Sequence, residues 1–271
     1  MNNDEPAIFQ FYGELKPLLT PGELAPTPGS DGVREVRRSG VVAYPVGREA
    51  SLKDVIEALG VPHTEVGRIV LSSWGENREA DEDVGFDQRL ASGQRIEVHP
   101  VAPPLDVTRV HRLRPVPLPE VRFVVDVCVG KLATLLRLLG LDAAYDRTWD
   151  DATLADMAQS EGRIVLTRDK ALLKRATVSH GRLVRAHEPT GQLLEVLGHF
   201  GLTGSFKPFV RCLRCNQLLE PVSKAEILHR LEPLTKKYHD EFHRCRACGR
   251  IYWPGSHHKA MREWLKSVGL D

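Results

Sequence analysis

No stretch of the sequence reaches the roughly 18 consecutive apolar residues that a membrane-spanning helix needs, so no transmembrane segment is expected. The opening Met1-Asn2-Asn3-Asp4-Glu5 lacks the basic-then-apolar pattern of a secretory leader, and the expectation is a cytoplasmic protein with no membrane partner. Net charge is also nearly absent, at +1. Cysteine is scarce, with five among 271 residues. Four of those five fall in two C-x-x-C pairs, Cys212/Cys215 and Cys245/Cys248. In a reducing compartment that spacing favours a metal over disulfides. Hydrophobic residues make up 42% and charged residues 27%, proportions that exclude wholesale disorder.

The near-zero total hides an uneven distribution. Residues 1–120 hold 13 Lys/Arg and 19 Asp/Glu, a net −6. Residues 121–205 hold 11 and 10, and residues 206–271 hold 13 and 7, a net +6. Five of the 11 histidines also lie in that last segment. The basic segment is therefore the candidate for contact with a polyanion.

Residues 7–12 alternate as a strand, and Pro17, Pro21, Pro26 and Pro28 argue against regular structure until about Arg34. Val41–Val46 reads as a second strand. Ser51-Leu52-Lys53-Asp54 opens a helix with a capping-box pattern that Gly60-Val61-Pro62 stops. Ile69–Ser72 and Ile96–Pro100 read as further strands. A helix packed on one sheet follows, a small α+β domain. The opening Ile8-Phe9-Gln10-Phe11-Tyr12, the helix Ser51–Gly60 and Val70-Leu71 resemble the ubiquitin-like β-grasp group, near the small sulfur carriers. Carrier chemistry needs a free terminal Gly-Gly, whereas the last strand here runs on into Pro103-Pro104. Residues 1–103 are thus expected to be a docking or substrate-guiding module that offers a surface to a protein partner. Residues 104–120, with Pro104, Pro115, Pro117 and Pro119 among basic residues, fit a semi-rigid linker.

From Arg122 the rhythm becomes strand–helix. Strands are expected at Phe123–Val125, Ala143–Tyr145, Arg163–Thr167 and Arg182–Arg185, and helices at Leu132–Leu139, Asp151–Ser160 and Gln192–Phe200. Such alternation means a parallel sheet with helices on its faces. Sites in open parallel sheets form beyond the carboxyl ends of strands. Asp126 and Asp169 follow strands, Asp146 ends one, and Asp151 begins a helix on the same side. Several carboxylates together require a cation, and Mg²⁺ or Mn²⁺ suits oxygen ligands. A metal so held points to phosphodiester hydrolysis. Asp151 and Asp169 equally suit plain helix N-caps. Asp142 and Asp156 read as solvated surface residues, and Cys128 as a buried apolar one. Lys131, Arg137 and Arg168 lie near the acids and suit phosphate groups.

The stretch D-V-C-V-G-K-L-A-T-L-L-R-L-L-G-L-D from Asp126, with the later D-D-A-T-L and E-G-R-I-V-L-T-R-D-K-A-L-L, closely resembles the Mut-seven C-terminal RNase domain, a PIN-like nuclease family. The resemblance covers about residues 121–255. It implies a PIN-like nuclease domain at 121–205 followed by a zinc-ribbon module at 206–271, and matches Asp126, Asp151 and Asp169 to the family's acidic positions. It also implies that the phosphates suited to Lys131, Arg137 and Arg168 are those of RNA. One further PIN acidic position, on an intervening helix, has no counterpart here, and Asp146 is the candidate replacement.

Four thiolates in two C-x-x-C knuckles can close a tetrahedral Zn²⁺ site, which is structural because it has no open position. The 29-residue spacer holds an expected helix, Ser223–Leu231. Lys236 and Lys237, with Tyr252 and Trp253 nearby, suit contact with RNA phosphates and bases, although both aromatics equally suit the ribbon core. The expected function is a metal-dependent ribonuclease with a structural zinc. The alternative is a non-catalytic RNA-binding or adaptor protein with a degenerate PIN-like domain.

Overall fold

The computed structural model describes residues 5–20, 30–46, 49–72, 82–204 and 206–270. Pro21, Pro26 and Pro28 lie outside them. The first sheet is formed by β1 (Ala7–Phe11), β2 (Val41–Tyr44), β3 (Val66–Ser72), β4 (Glu82–Asp83) and β5 (Arg95–Pro100), in the order β2-β1-β5-β3-β4. β1 pairs antiparallel with β2 and parallel with β5, the pattern of a ubiquitin-like β-grasp. Phe9, Phe11, Ile96 and Val98 on the inward side are fully buried. Helix α2 (Leu52–Ala58) lays Leu52, Val55 and Ile56 into the same core. Its expected capping box is present: Ser51 Oγ accepts from Asp54 N, and Asp54 accepts from Ser51 N.

Proline did not prevent regular structure as expected. Pro17 lies inside a short 3₁₀ helix, Gly13–Leu18, whose backbone angles its fixed φ of about −65° suits. Helix α1 (Ser30–Ser39) begins before Arg34.

The second sheet is fully parallel. It comprises β6 (Arg122–Val125), β7 (Asp142–Ala144), β8 (Ile164–Thr167) and β9 (Gly181–Leu183), in the order β7-β6-β8-β9. Phe123, Val125, Ile164 and Leu166 face one side, under α3 (Gly130–Leu138) and α6 (Pro189–His199). Val124 and Val165 face the other, with Leu154, Ala155 and Ala158 of α4 (Asp151–Glu161), and this side merges with the core of the first domain. Burial on both faces explains why these strands read as continuous apolar runs. The short α5 (Lys170–Leu173) follows β8.

Residues 104–120 form an ordered strap. Leu105 N donates to His199 O, Val107 enters the core under α3 and α6, and Arg114 reaches back to the carbonyls of Thr64 and Val66. The two domains also meet directly. Glu65, fully buried, accepts from Leu183 N at 2.8 Å, Arg182 at 3.0 Å and Arg185 at 2.7 Å.

The third sheet is small and antiparallel: β10 (Glu220–Pro221), β11 (His243–Arg244) and β12 (Ile251–Tyr252). The expected spacer helix is shorter than Ser223–Leu231, comprising α7 (Lys224–Ile227) and a 3₁₀ turn, and α8 (Pro233–Tyr238) follows. Helix α9 (Ser256–Ser267) returns to the parallel domain, burying Leu265 against its core.

Candidate active site and metal centre

The strand order reverses between β6 and β8, because the chain crosses to β7 on one side of β6 and then back to β8 on the other. Such a switch point opens a crevice at the carboxyl ends of the strands. Asp126 leaves β6 there and is 7% exposed. Its Oδ2 accepts from Thr167 Oγ1 at 2.6 Å and from Cys128 Sγ at 2.9 Å. Thr167, fully buried at the end of β8, also accepts from Asp169 N at 2.9 Å. One hydroxyl therefore ties the two strand ends and fixes the Asp126 rotamer.

Cys128 corrects its sequence reading as a buried apolar residue. It is exposed, donates to Asp126, and accepts from Arg168 N at 3.3 Å. Partial burial of the sulfur within this exposed residue and the adjacent carboxylate push its pKa up, so it stays a thiol and a hydrogen-bond donor.

The cap of α4 is Asp150, whose side chain accepts from Thr153 N at 2.9 Å. Asp151 sits inside the first turn, with no hydrogen bond to its carboxylate among the described residues. Asp169 does cap α5, accepting from Ala171 N at 2.7 Å through Oδ1. Asp146 is exposed and its Oδ1 accepts from both Thr148 N and Thr148 Oγ1, which lowers its pKa and closes a local turn. Among the described residues the four cysteines are the one cluster of three or more potential ligands within 4.8 Å. Asp126, Asp151 and Asp169 thus do not form a closed carboxylate cage. Their donor chemistry fits a Mg²⁺-type ion that keeps several waters and takes one or two carboxylates together with substrate phosphates.

The expected phosphate-binding residues divide. Lys131 and Arg168 are exposed at the crevice edge, with the Arg168 guanidinium 3.4 Å from His187 Nδ1. Arg137 is 2% exposed and donates to the carbonyls of Ala143, Leu213 and Arg214 at 2.8, 3.1 and 2.7 Å. It is an internal strut, unable to reach RNA. Asp142, expected to be solvated, is half-buried and holds Arg163 and the amide of Asn216. Those partners outweigh the burial that would raise its pKa, and hold it low.

The cysteine centre is built from two matching knuckles. Asn216 N donates to Cys212 O and Gly249 N to Cys245 O, both at 2.9 Å. Asn216 and Gly249 both take the left-handed conformation, at φ 69° and 68°. Asn and Gly are the residues that tolerate it. The sulfurs of Cys212 and Cys248 lie 3.5 Å apart, and those of Cys215 and Cys245 3.2 Å apart. A tetrahedral Zn²⁺ with bonds of about 2.3 Å separates its sulfurs by about 3.8 Å, so the four side chains fit that ion. Tyr252 Oη lies 3.1 Å from Cys212 Sγ. Burial opposes charge on Cys212, but the Tyr252 hydroxyl and the N–H groups of Cys215 and Arg214 outweigh it and bring the thiol down to about 6. Tyr252 therefore belongs to the centre, while Trp253 is 37% exposed beside Phe242. Lys237 is exposed, with its ammonium 5.2 Å from the Tyr238 ring, and Lys236 sits in the last turn of the same helix.

Sequence reading missed Thr167 and Cys128. The available signal was the T-R-D ending of the third strand, where a small hydroxyl side chain directly precedes the charged residues.

The fold and site define a parallel α/β domain with acids at its switch point, carrying a four-cysteine centre and preceded by a β-grasp domain. Residues 121–265 match the family model of the Mut7-C RNAse domain, and residues 30–106 match that of Mut7-C ubiquitin. The chain belongs to the Mut7-C RNAse domain family, and a nuclease-type function follows from that membership. Neither a curated protein nor a solved structure matches the chain.

Proposed function

We propose that the protein is a metal-dependent ribonuclease that hydrolyses RNA phosphodiesters at Asp126, Asp151 and Asp169, using Mg²⁺ or Mn²⁺. The observation that carries this reading is Asp126, a nearly buried carboxylate at the switch point, oriented by Thr167 and Cys128 and paired with no cationic side chain among the described residues. When bound, a divalent ion supplies Lewis-acid stabilisation of charge on the phosphate and lowers the pKa of water. Asp126 and Asp169 present oxygen donors from adjacent strand ends, and Asp151 adds one from α4. Lys131 and Arg168 steer the RNA backbone into the crevice, Arg168 by its forked guanidinium. Lys236 and Lys237 extend the basic track along the zinc module, whose Zn²⁺ at Cys212, Cys215, Cys245 and Cys248 is structural. Asp146 is left out of the site by its own turn. Residues 1–103 and the strap support the nuclease domain from the β9 edge and offer their outer surface to a protein partner.

One observation favours the alternative of a non-catalytic RNA-binding adaptor: no three carboxylates converge as ligands among the described residues. Incubation of the full chain with labelled single-stranded RNA separates the two. Cleavage that needs added Mn²⁺ or Mg²⁺ and stops with EDTA supports the nuclease. Metal-independent retention of intact RNA supports the adaptor.

A further inference from the structure

We propose that the cleft between the end of β5 and the strap binds a nucleoside monophosphate, with the exposed Arg109 and Arg68 receiving the phosphate and the buried Arg114 supplying positive charge behind them. The cleft shares no lining residue with the switch-point crevice, stands half open to solvent and spans about 490 Å³. Its polar lining is Arg68, His99, Arg109, His111, Arg114 and a single carboxylate, Asp106. The lining is thus cationic.

Arg114 is the decisive residue. It is 4% exposed, and no carboxylate of the described residues makes an ion pair with it. The nearby Glu65 is committed to Arg182, Arg185 and the amide of Leu183. Arg114 Nη2 donates to the carbonyls of Thr64 and Val66 at 2.6 and 3.1 Å, while Nη1 has no hydrogen-bond partner. A buried cation with neither counter-ion nor full hydrogen bonding is costly, and an anion in the cleft lowers the electrostatic part of that cost. His111 assists without adding charge. Its Nδ1 accepts from Leu113 N at 3.2 Å, so the ring carries its proton on Nε2 and is a neutral donor.

Arg68 and Arg109 are exposed and paired with Asp83 at 2.7 Å and Asp106 at 3.1 Å. Exposed pairs of this kind are weak, so both guanidinium groups are free to turn to a phosphate. The other part of the lining is apolar, including Pro100, Val101 and Leu105. The His99 ring is held flat by stacking on Tyr12 at 4.4 Å, with planes 3° apart. Flat apolar walls beside a cationic end suit a planar base carrying one phosphate. Inorganic phosphate leaves most of the volume empty, and a polyphosphate places charge on the apolar wall. The size is that of a small-ligand site.

Isothermal titration of the full chain with 5′-AMP, inorganic phosphate and adenosine tests this. AMP should bind in the micromolar range, and phosphate and adenosine each at least tenfold more weakly. The double variant Arg68→Glu, Arg109→Glu should lose tenfold or more in AMP affinity while keeping the wild-type melting temperature. Asp126→Asn should bind AMP as the wild type does, which separates this cleft from the nuclease site. Arg114→Met tests the buried group where it folds; the exposed double variant decides the matter where it does not. No detectable AMP binding at millimolar concentration, equal binding by the double variant, or loss of binding in Asp126→Asn overturns the proposal.

Discussion

Thr167 Oγ1 stands 2.6 Å from Asp126 Oδ2, and that single buried hydroxyl joins the carboxyl ends of the two central parallel strands. It donates to Asp126 and accepts from Asp169 N, so both acids share one positioning residue. Thr167→Val keeps the shape and β-propensity of the side chain but removes both bonds. The buried carboxylate and the Asp169 amide lose a partner, and stability should fall by about 1–3 kcal/mol. RNA cleavage should fall about 10–100-fold, since a misplaced group near the chemistry costs that much. Thr167→Ser should restore most of the activity. Melting curves and turnover on labelled RNA check both effects, and wild-type turnover in the valine variant refutes the positioning role.

Arg137 links α3, β7 and the first cysteine knuckle through three carbonyls. Arg137→Ala should cost about 2–4 kcal/mol, because those carbonyls become unsatisfied. Lys131→Ala, on an exposed helix start, should change stability by less than about 0.5 kcal/mol. Only the latter should weaken RNA binding and reduce its salt dependence. Denaturant titrations and binding isotherms at several salt concentrations distinguish the two residues.

The strand–helix rhythm, the β-grasp outline, the capping box at Ser51 and the four-cysteine centre were legible in the sequence. Each rests on local pattern: period, turn residues or ligand spacing. What was not legible depends on contacts distant in sequence. Arg137 looks like a solvated helix residue until the knuckle 76 residues later brings Leu213 O to it. Asp142 looks exposed until Arg163 and Asn216 enclose it. Asp150 and Asp151 are indistinguishable as caps until backbone geometry assigns the first to the N-cap position. The 3₁₀ helix around Pro17 was hidden because proline argues against α-helix more strongly than against this tighter turn.

The first domain is a structural partner of the nuclease domain. Glu65, without solvent exposure, binds Arg182, Arg185 and Leu183 N across the junction. Glu65→Ala leaves Leu183 N without its acceptor and Arg182 and Arg185 with only Glu14 and Glu195 as counter-ions, and should cost about 1–3 kcal/mol. Deleting residues 1–103 should expose Val178 and Leu183, which share the core of the first domain, and give an aggregating or poorly folded product. A truncated protein that melts cooperatively at the wild-type temperature contradicts this coupling.

Two histidines near the same junction make the fold acid-sensitive. Burial, reinforced by nearby cationic groups, lowers His180 to about 4 and His199 to about 3. Both nitrogens of His199 lack hydrogen-bond partners. Above the ordinary value of 6.5 these rings are neutral in both folded and unfolded chains. Below it the unfolded chain takes up protons that the fold refuses, so stability is full above pH 6.5 and declines toward pH 4 and 3. The slope approaches about 1.4 kcal/mol per pH unit for each histidine. His199→Leu should flatten the profile between pH 6 and pH 4. Unfolding free energies from denaturant titrations across that range provide the check, and an unchanged slope in the variant rules out His199 as a source.

The central claim is that Asp126 is the carboxylate on which RNA hydrolysis depends. Turnover of labelled single-stranded RNA with Mn²⁺, measured side by side for the wild type and Asp126→Asn with their melting temperatures, tests it most directly. The account predicts metal-dependent cleavage by the wild type and a loss of about 1,000-fold or more in a variant that still folds, on the order of 4 kcal/mol of transition-state stabilisation. Cleavage by folded Asp126→Asn at the wild-type rate would contradict it.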